Sequence, residues 1–168
     1  VLNDNSEDGT ADILGSLEKE FPGKLRVFNG KPLEEGWTGK IFAMNQLIQH
    51  ADGEYLLFSD ADTIHGKDSI AFAVTNLTVH NADMLSGYIK EKLVTFGERI
   101  TIPLMFMLTC FVLPMFLNRI TPFPFTSVAI GQYIMIKKKV FEAVGGYESM
   151  KNLISEDVYL ARLVKKRG

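Results

Sequence analysis

The sequence predicts an α/β fold, a mostly parallel sheet with helices on both faces. Three observations carry this. Strand-like and helix-period stretches alternate from Leu2 to Tyr88. Tyr55–Phe58 is continuously apolar, as in a strand covered on both faces. Short Gly-, Asn- and Asp-rich segments punctuate the alternation. The 168 residues, 46% hydrophobic and 23% charged, fit one globular domain and exclude a disordered or disulfide-stapled chain. A net charge of -2 and a pI near 5.9 provide no basic stripe, which excludes duplex nucleic acid as a partner.

The elements follow in order. Val1–Asp4 reads as the end of a strand, so the chain is read as a piece of a longer one, lacking its first strand. Asp8 and Thr10 are N-cap residues for a helix carrying Ile13, Leu14, Leu17 and Phe21, stopped by Pro22-Gly23. Leu25–Phe28 is a short strand. Gly39-Lys40 opens a helix with Phe42, Ala43, Leu47 and Ile48 on one side. Tyr55–Phe58 is a strand, residues 67–79 a helix, and Met84–Tyr88 a strand. Residues 132–136 form a further strand, Lys138–Val144 a helix closed by Gly145-Gly146, and Ser155-Glu156-Asp157 opens the last helix.

Between them lies a different composition. Residues 100–118 and 120–136 are uncharged, interrupted only by Arg119. Pro103, Pro114, Pro122 and Pro124 should break this stretch into short pieces, which disfavours clean spans. Phe106, Phe111, Phe116, Phe123 and Phe125 suit an acyl boundary. Arg99, Arg119 and Lys137–Lys139 could meet anionic headgroups. Residues 100–136 are therefore expected to lie in or on the cytoplasmic leaflet, against the alternative of ordinary core. Cys110, inside this run, is expected to be a buried, inert thiol.

Four constellations could carry chemistry. Asp60 and Asp62 follow an apolar strand, and alternate residues of an extended segment point the same way, so both could reach one Mg²⁺ or Mn²⁺. Asp4 lies where a strand gives way to a polar turn and helix; capping accounts for Asp8 and Thr10 but not for it. Lys40 at a helix start is electrostatically misplaced unless an anion lies nearby. Glu156 and Asp157 head the last helix, where they suit its dipole and where one could act as a general base. His50, His65 and His80 show no ligand spacing.

Together these pieces resemble family 2 glycosyltransferases with the GT-A fold. The family turns from a strand through Asp-Asp-x-Ser-x-Asp-Gly-Thr, here Asn3-Asp4-Asn5-Ser6-Glu7-Asp8-Gly9-Thr10. Gly-Lys and Ala-x-Asn follow, here Gly39-Lys40 and Ala43-Met44-Asn45. An Asp-x-Asp closes the apolar strand, here Asp60-Ala61-Asp62. Gly145-Gly146-Tyr147 then precedes Glu156-Asp157. The resemblance covers nearly the whole chain. It implies a single catalytic domain over residues 1–168 that transfers a sugar, with inversion, from a nucleotide-diphosphate donor to a hydroxyl of a lipid or polysaccharide. Asp4 would contact a base, uracil in the first instance, and Lys40 the donor. Asp60 and Asp62 would hold nucleotide and divalent metal, and Asp157, beside Glu156, would be the base. Asn3 departs from the family's first Asp, which bears on nucleotide choice. The uncharged stretch resembles that of members that glycosylate lipids such as hopanoids and carotenoids.

Two other readings compete. A haloacid dehalogenase-type phosphatase needs Asp-x-Asp-x-Thr, and Asp60-Ala61-Asp62-Thr63 is one residue short. A non-catalytic, membrane-bound sugar-nucleotide binding module would not need Asp60, Asp62 and Asp157 together.

Overall fold

In a computed structural model, residues 1–112 and 120–167 are described. The chain divides into two compact units, Val1–Asp52 with Gly145–Ile154, and Gly53–Val144 with Ser155–Gly168.

In the first unit, β1 (Leu2–Asn3) pairs in parallel with β2 (Phe28–Asn29), and α1 (Thr10–Glu20) connects them. The helix starts where Asp8 accepts the Thr10 N–H at 3.0 Å. Hydrogen bonds from the Thr10 hydroxyl and backbone hold the Asp8 carboxyl below its ordinary value. The strand anticipated at Leu25–Phe28 forms only at its end, because Val27 gives its N–H to the Glu18 carboxylate rather than to a strand. The core of this unit gathers around α2 (Gly39–Ile48). Ile41 and Phe42 are buried with Trp37, and Tyr147 and Met150 of a 3₁₀ turn (Gly146–Met150) pack against the same helix. Lys151 caps the Trp37 ring, its ammonium 4.7 Å from the ring centre.

The second unit is a sheet of three strands, β3 (Tyr55–Ser59), β4 (Met84–Ser86) and β5 (Tyr133–Lys137), in the order β3-β5-β4. Both pairings are antiparallel, with Leu57 and Leu85 opposite Met135. This corrects the mostly parallel expectation. The strand that follows the apolar stretch returns against β3 and β4 and separates them. Its central residues, Ile134, Met135 and Ile136, are buried. Met135 packs with Ala73 and Leu77 of α3 (Ser69–Val79) on one face, and Ile134 with Ala129 and Ala161 on the other. The short α5 (Lys138–Ala143) follows β5 directly. Gly145, just beyond it, has φ 91°, a left-handed conformation that costs glycine little. The last helix is α6 (Glu156–Arg167).

The apolar stretch takes a form that the prolines did not suggest. α4 (Phe96–Val112) runs 17 residues straight through Pro103. Proline removes the hydrogen bond to the carbonyl four residues earlier, here that of exposed Arg99. The helix begins with a capping box. Glu98 accepts the N–H groups of Val94 and Thr95 at 2.7 and 2.8 Å and gives its own N–H to the Thr95 hydroxyl. No residue of α4 is buried. Cys110 is exposed, contrary to the expected buried thiol, because this helix has no second layer over it among the described residues. Lys137 is not available to headgroups either: its ammonium lies 2.8 Å from Asp83 and is largely buried. Pro114, Phe116 and Arg119 lie outside the described residues. No helix among the described residues is long and apolar enough to cross a membrane.

Candidate functional site

In the first unit, Asp4 stands one residue beyond β1 with its carboxylate against two glycines. A Cβ on Gly30 would lie 3.0 Å from Asp4 Oδ1, and one on Gly39 would lie 4.0 Å from Oδ2. Gly30 therefore gives Asp4 its room, and Gly39 puts the start of α2 beside it. The structure thus brings together Asp4 and the helix end that carries Lys40, two residues singled out separately from sequence. A helix N-terminus favours a carboxylate or a phosphate. Asn3, in place of the family's first Asp, is buried and uses its side-chain oxygen to accept the Ser6 N–H at 3.2 Å. It shapes the turn from within, whereas Asp4 is exposed.

In the second unit, β3 ends at Ser59 and delivers Asp60-Ala61-Asp62 into a tight turn. The Thr63 N–H returns to the Asp60 carbonyl at 3.1 Å. Asp60 is partly buried and Asp62 exposed. Two carboxylates are hard oxygen donors of the kind Mg²⁺ and Mn²⁺ prefer. Among the described residues no three His, Cys, Asp or Glu side chains gather to make an all-protein cage. Asp60 and Asp62 thus supply two such oxygen donors, and a cation held there would take its remaining ligands from elsewhere.

Asp157 is held by two backbone amides. It is the second residue of α6, and its Oδ2 accepts the Gly131 N–H at 2.9 Å while Oδ1 accepts the Val158 N–H at 2.8 Å. The segment before β5 is itself pinned. Ile130 gives its N–H to the Ser86 hydroxyl at 2.7 Å, and that hydroxyl lies 3.1 Å from the Ile130 carbonyl. A Cβ on Gly131 would lie 3.3 Å from Asp157 Oδ2, so glycine is what allows this approach. Each carboxylate oxygen keeps lone-pair capacity for a further partner. Glu156, one residue earlier, is partly buried at the same helix end. Sequence reasoning missed the roles of Gly131 and Gly30: Asn29-Gly30 reads only as a turn and Gly131 carries no motif, and the value of each lies in an acid distant in sequence.

A profile described as Glycosyl transferase family 2 matches residues 1–145. The chain belongs to that family. Two named relatives agree over part of it. The uncharacterized glycosyltransferase YfnE of Bacillus subtilis is 34% identical over 71 residues, 42% of this chain and 17% of that protein. The beta-monoglucosyldiacylglycerol synthase of Trichormus variabilis is 35% identical over 74 residues, 44% of this chain and 15% of that one. The matches thus span less than a fifth of either relative's length. The fold is similar to that of the mannosyltransferase PcManGT from Pyrobaculum calidifontis, solved with GDP-Man and Mn²⁺. The TM-score is 0.67 at 21% identity, covering 95% of this chain and 40% of that structure. The GT-A-like, mixed α/β fold expected from the motifs is therefore established. Asp60 and Asp62 lie within the matched family region, and Asp157 lies beyond it.

Proposed function

We propose that this family 2 chain is the catalytic part of an inverting glycosyltransferase that moves a sugar from a UDP-sugar to a hydroxyl on a membrane lipid. The observation that carries the reading is Asp157, an acid fixed at a helix mouth by the Gly131 amide, in the position the family resemblance gives to the base. Asp157 takes the proton of the acceptor hydroxyl as its oxygen attacks the anomeric carbon. The bond from that carbon to the diphosphate breaks on the opposite face, and the electron pair leaves with the nucleotide. Glu156 supports the charge at the same helix end. Asp4 takes the base, Lys40 the donor's negative charge, and Asp60 the nucleotide. Asp60 and Asp62 would hold the divalent cation, which supplies charge neutralisation for the leaving diphosphate.

The lipid acceptor rests on α4 and on the printed name of the Trichormus relative, a diacylglycerol glucoside synthase. Ile100, Leu104, Met105, Met107, Leu108, Phe111 and Val112 of α4 are all exposed, as are Phe123 and Phe125 beyond it. Contiguous exposed apolar surface marks a binding site for membrane or protein. At 17 residues the helix is about 25 Å long, short of the ~30 Å hydrocarbon core. We place it along the cytoplasmic leaflet, where it presents a lipid-borne hydroxyl to Asp157.

The test is to incubate the full protein with UDP-sugars, Mn²⁺ and diacylglycerol in anionic liposomes and determine the product's anomeric configuration. A glycolipid of inverted configuration supports the reading. Retention of configuration removes Asp157 as sole base. Donor binding without transfer or hydrolysis identifies a non-catalytic sugar-nucleotide module instead.

A further inference from the structure

The turn that carries Asp60 and Asp62 is closed by a side-chain contact that the family motif does not include. Ser59, the last residue of β3, and His65, just past the turn, are hydrogen-bonded, Oγ to Nε2, at 2.9 Å. The same Ser59 hydroxyl lies 3.3 Å from the Asp60 carbonyl, which also accepts the Thr63 N–H at 3.1 Å. The assignment that uses every donor has His65 Nε2–H donating to Ser59 and Ser59 O–H donating to Asp60. These hydrogen bonds, closed by the backbone from Thr63 to His65, form a ring around Ala61 and Asp62.

His65 is held from its other side too. Its ring meets that of Tyr133 at the head of β5, with centroids 5.8 Å apart and planes inclined at 51°. The Tyr133 hydroxyl donates to the Ser69 carbonyl at the start of α3, at 3.1 Å. The ring of bonds is thereby tied to the central strand and to the next helix. An exposed turn carrying two like charges would otherwise sample conformations in which the carboxylates diverge, and a cation shared with phosphates needs them together.

We propose that His65, acting through Ser59, is a positioning residue that holds the Asp60–Asp62 turn ready for the diphosphate-bound cation. The inference rests on the donor role proposed above for Asp60 and Asp62. The route from His65 to the turn runs through Ser59 to the backbone of Asp60.

The test uses the full chain, with UDP or GDP plus Mn²⁺ as calorimetric probes and the Thr63 amide exchange rate as a ligand-free readout. His65→Ala should speed Thr63 exchange and weaken Mn²⁺–nucleotide binding about three- to tenfold, the size of one modest hydrogen bond. His65→Gln, whose amide can still donate to Ser59, should restore most of both. Ser59→Ala should match His65→Ala, and the double variant should be no worse than either single one. Unchanged nucleotide affinity in His65→Ala overturns the positioning role. So does a loss that His65→Gln does not rescue and that tracks a lowered melting temperature. If the wild type binds neither nucleotide, the donor reading itself fails. Thr63 exchange then decides the closed turn alone: faster exchange in His65→Ala supports it, and an unchanged rate overturns it.

Discussion

β5 and α4 are both strongly apolar segments of the same unit, and they meet opposite fates. Every apolar residue at the centre of β5 is buried: Ile134 is 4% exposed, Met135 2% and Ile136 none. In α4 Phe111 is 78% exposed and Leu108 54%. Composition cannot tell them apart. A strand of alternating direction finds a helix on each face, here α3 and α6, and both sides are paid off in burial at once. α4 touches its own unit through Phe106, whose ring meets that of Tyr88 edge-on at 4.8 Å. The lesson is that an apolar run specifies a need for a partner and not where the partner is. β5 finds its partners within the chain, whereas among the described residues the apolar surface of α4 stays exposed.

The contrast can be broken in stages. Ile136→Ala should cost about 2–5 kcal/mol of stability, because it opens a cavity between packed layers. Denaturant unfolding measures it. Phe111→Ser should leave stability within about 0.5 kcal/mol and still reduce co-sedimentation with anionic liposomes. A large stability loss from Phe111→Ser would show that α4 is core after all, and unchanged sedimentation would remove the membrane as its partner. Gly131→Ala tests whether β5 also serves the site. Its methyl would crowd Asp157, so turnover should fall while donor affinity stays near normal. The smallest effect concerns the start of α4. Hydrogen bonds from the Thr95 and Val94 backbone hold the Glu98 carboxyl below its ordinary 4.5. The folded value lies below the unfolded one, so the cap contributes fully above pH 4.5 and is lost as pH falls through the lower, folded value. Amide protection in the first turn of α4, measured against the intrinsic exchange rate at each pH, should fall on acidification, and in Glu98→Gln it should not depend on pH in that range.

Much of this was legible because motif residues announce themselves by type. Asp4, Lys40, Asp60, Asp62 and Asp157 stand out in the sequence by type and place, and Tyr55–Phe58 falls within β3. Strand direction was not legible. Period and composition say nothing about whether β5 runs with or against β3. The continuity of α4 is readable in part: Thr95-Phe96-Gly97-Glu98 is a capping box immediately before the apolar run, whereas the prolines within that run point the other way. The contacts of Gly30, Gly131, Ser59 and His65 were not legible, although Asn29-Gly30 reads as a turn and His65 is the one histidine near the Asp pair in sequence. Each matters through a residue it meets only after folding.

The most direct test of the account is Asp157→Asn in the full-length enzyme. The amide keeps the shape, and its carbonyl can still accept the Gly131 N–H, but it cannot take a proton. UDP-sugar affinity should be unchanged and turnover lowered about 10²- to 10⁴-fold, the usual contribution of a positioned base. Near-normal turnover in the purified variant would contradict it.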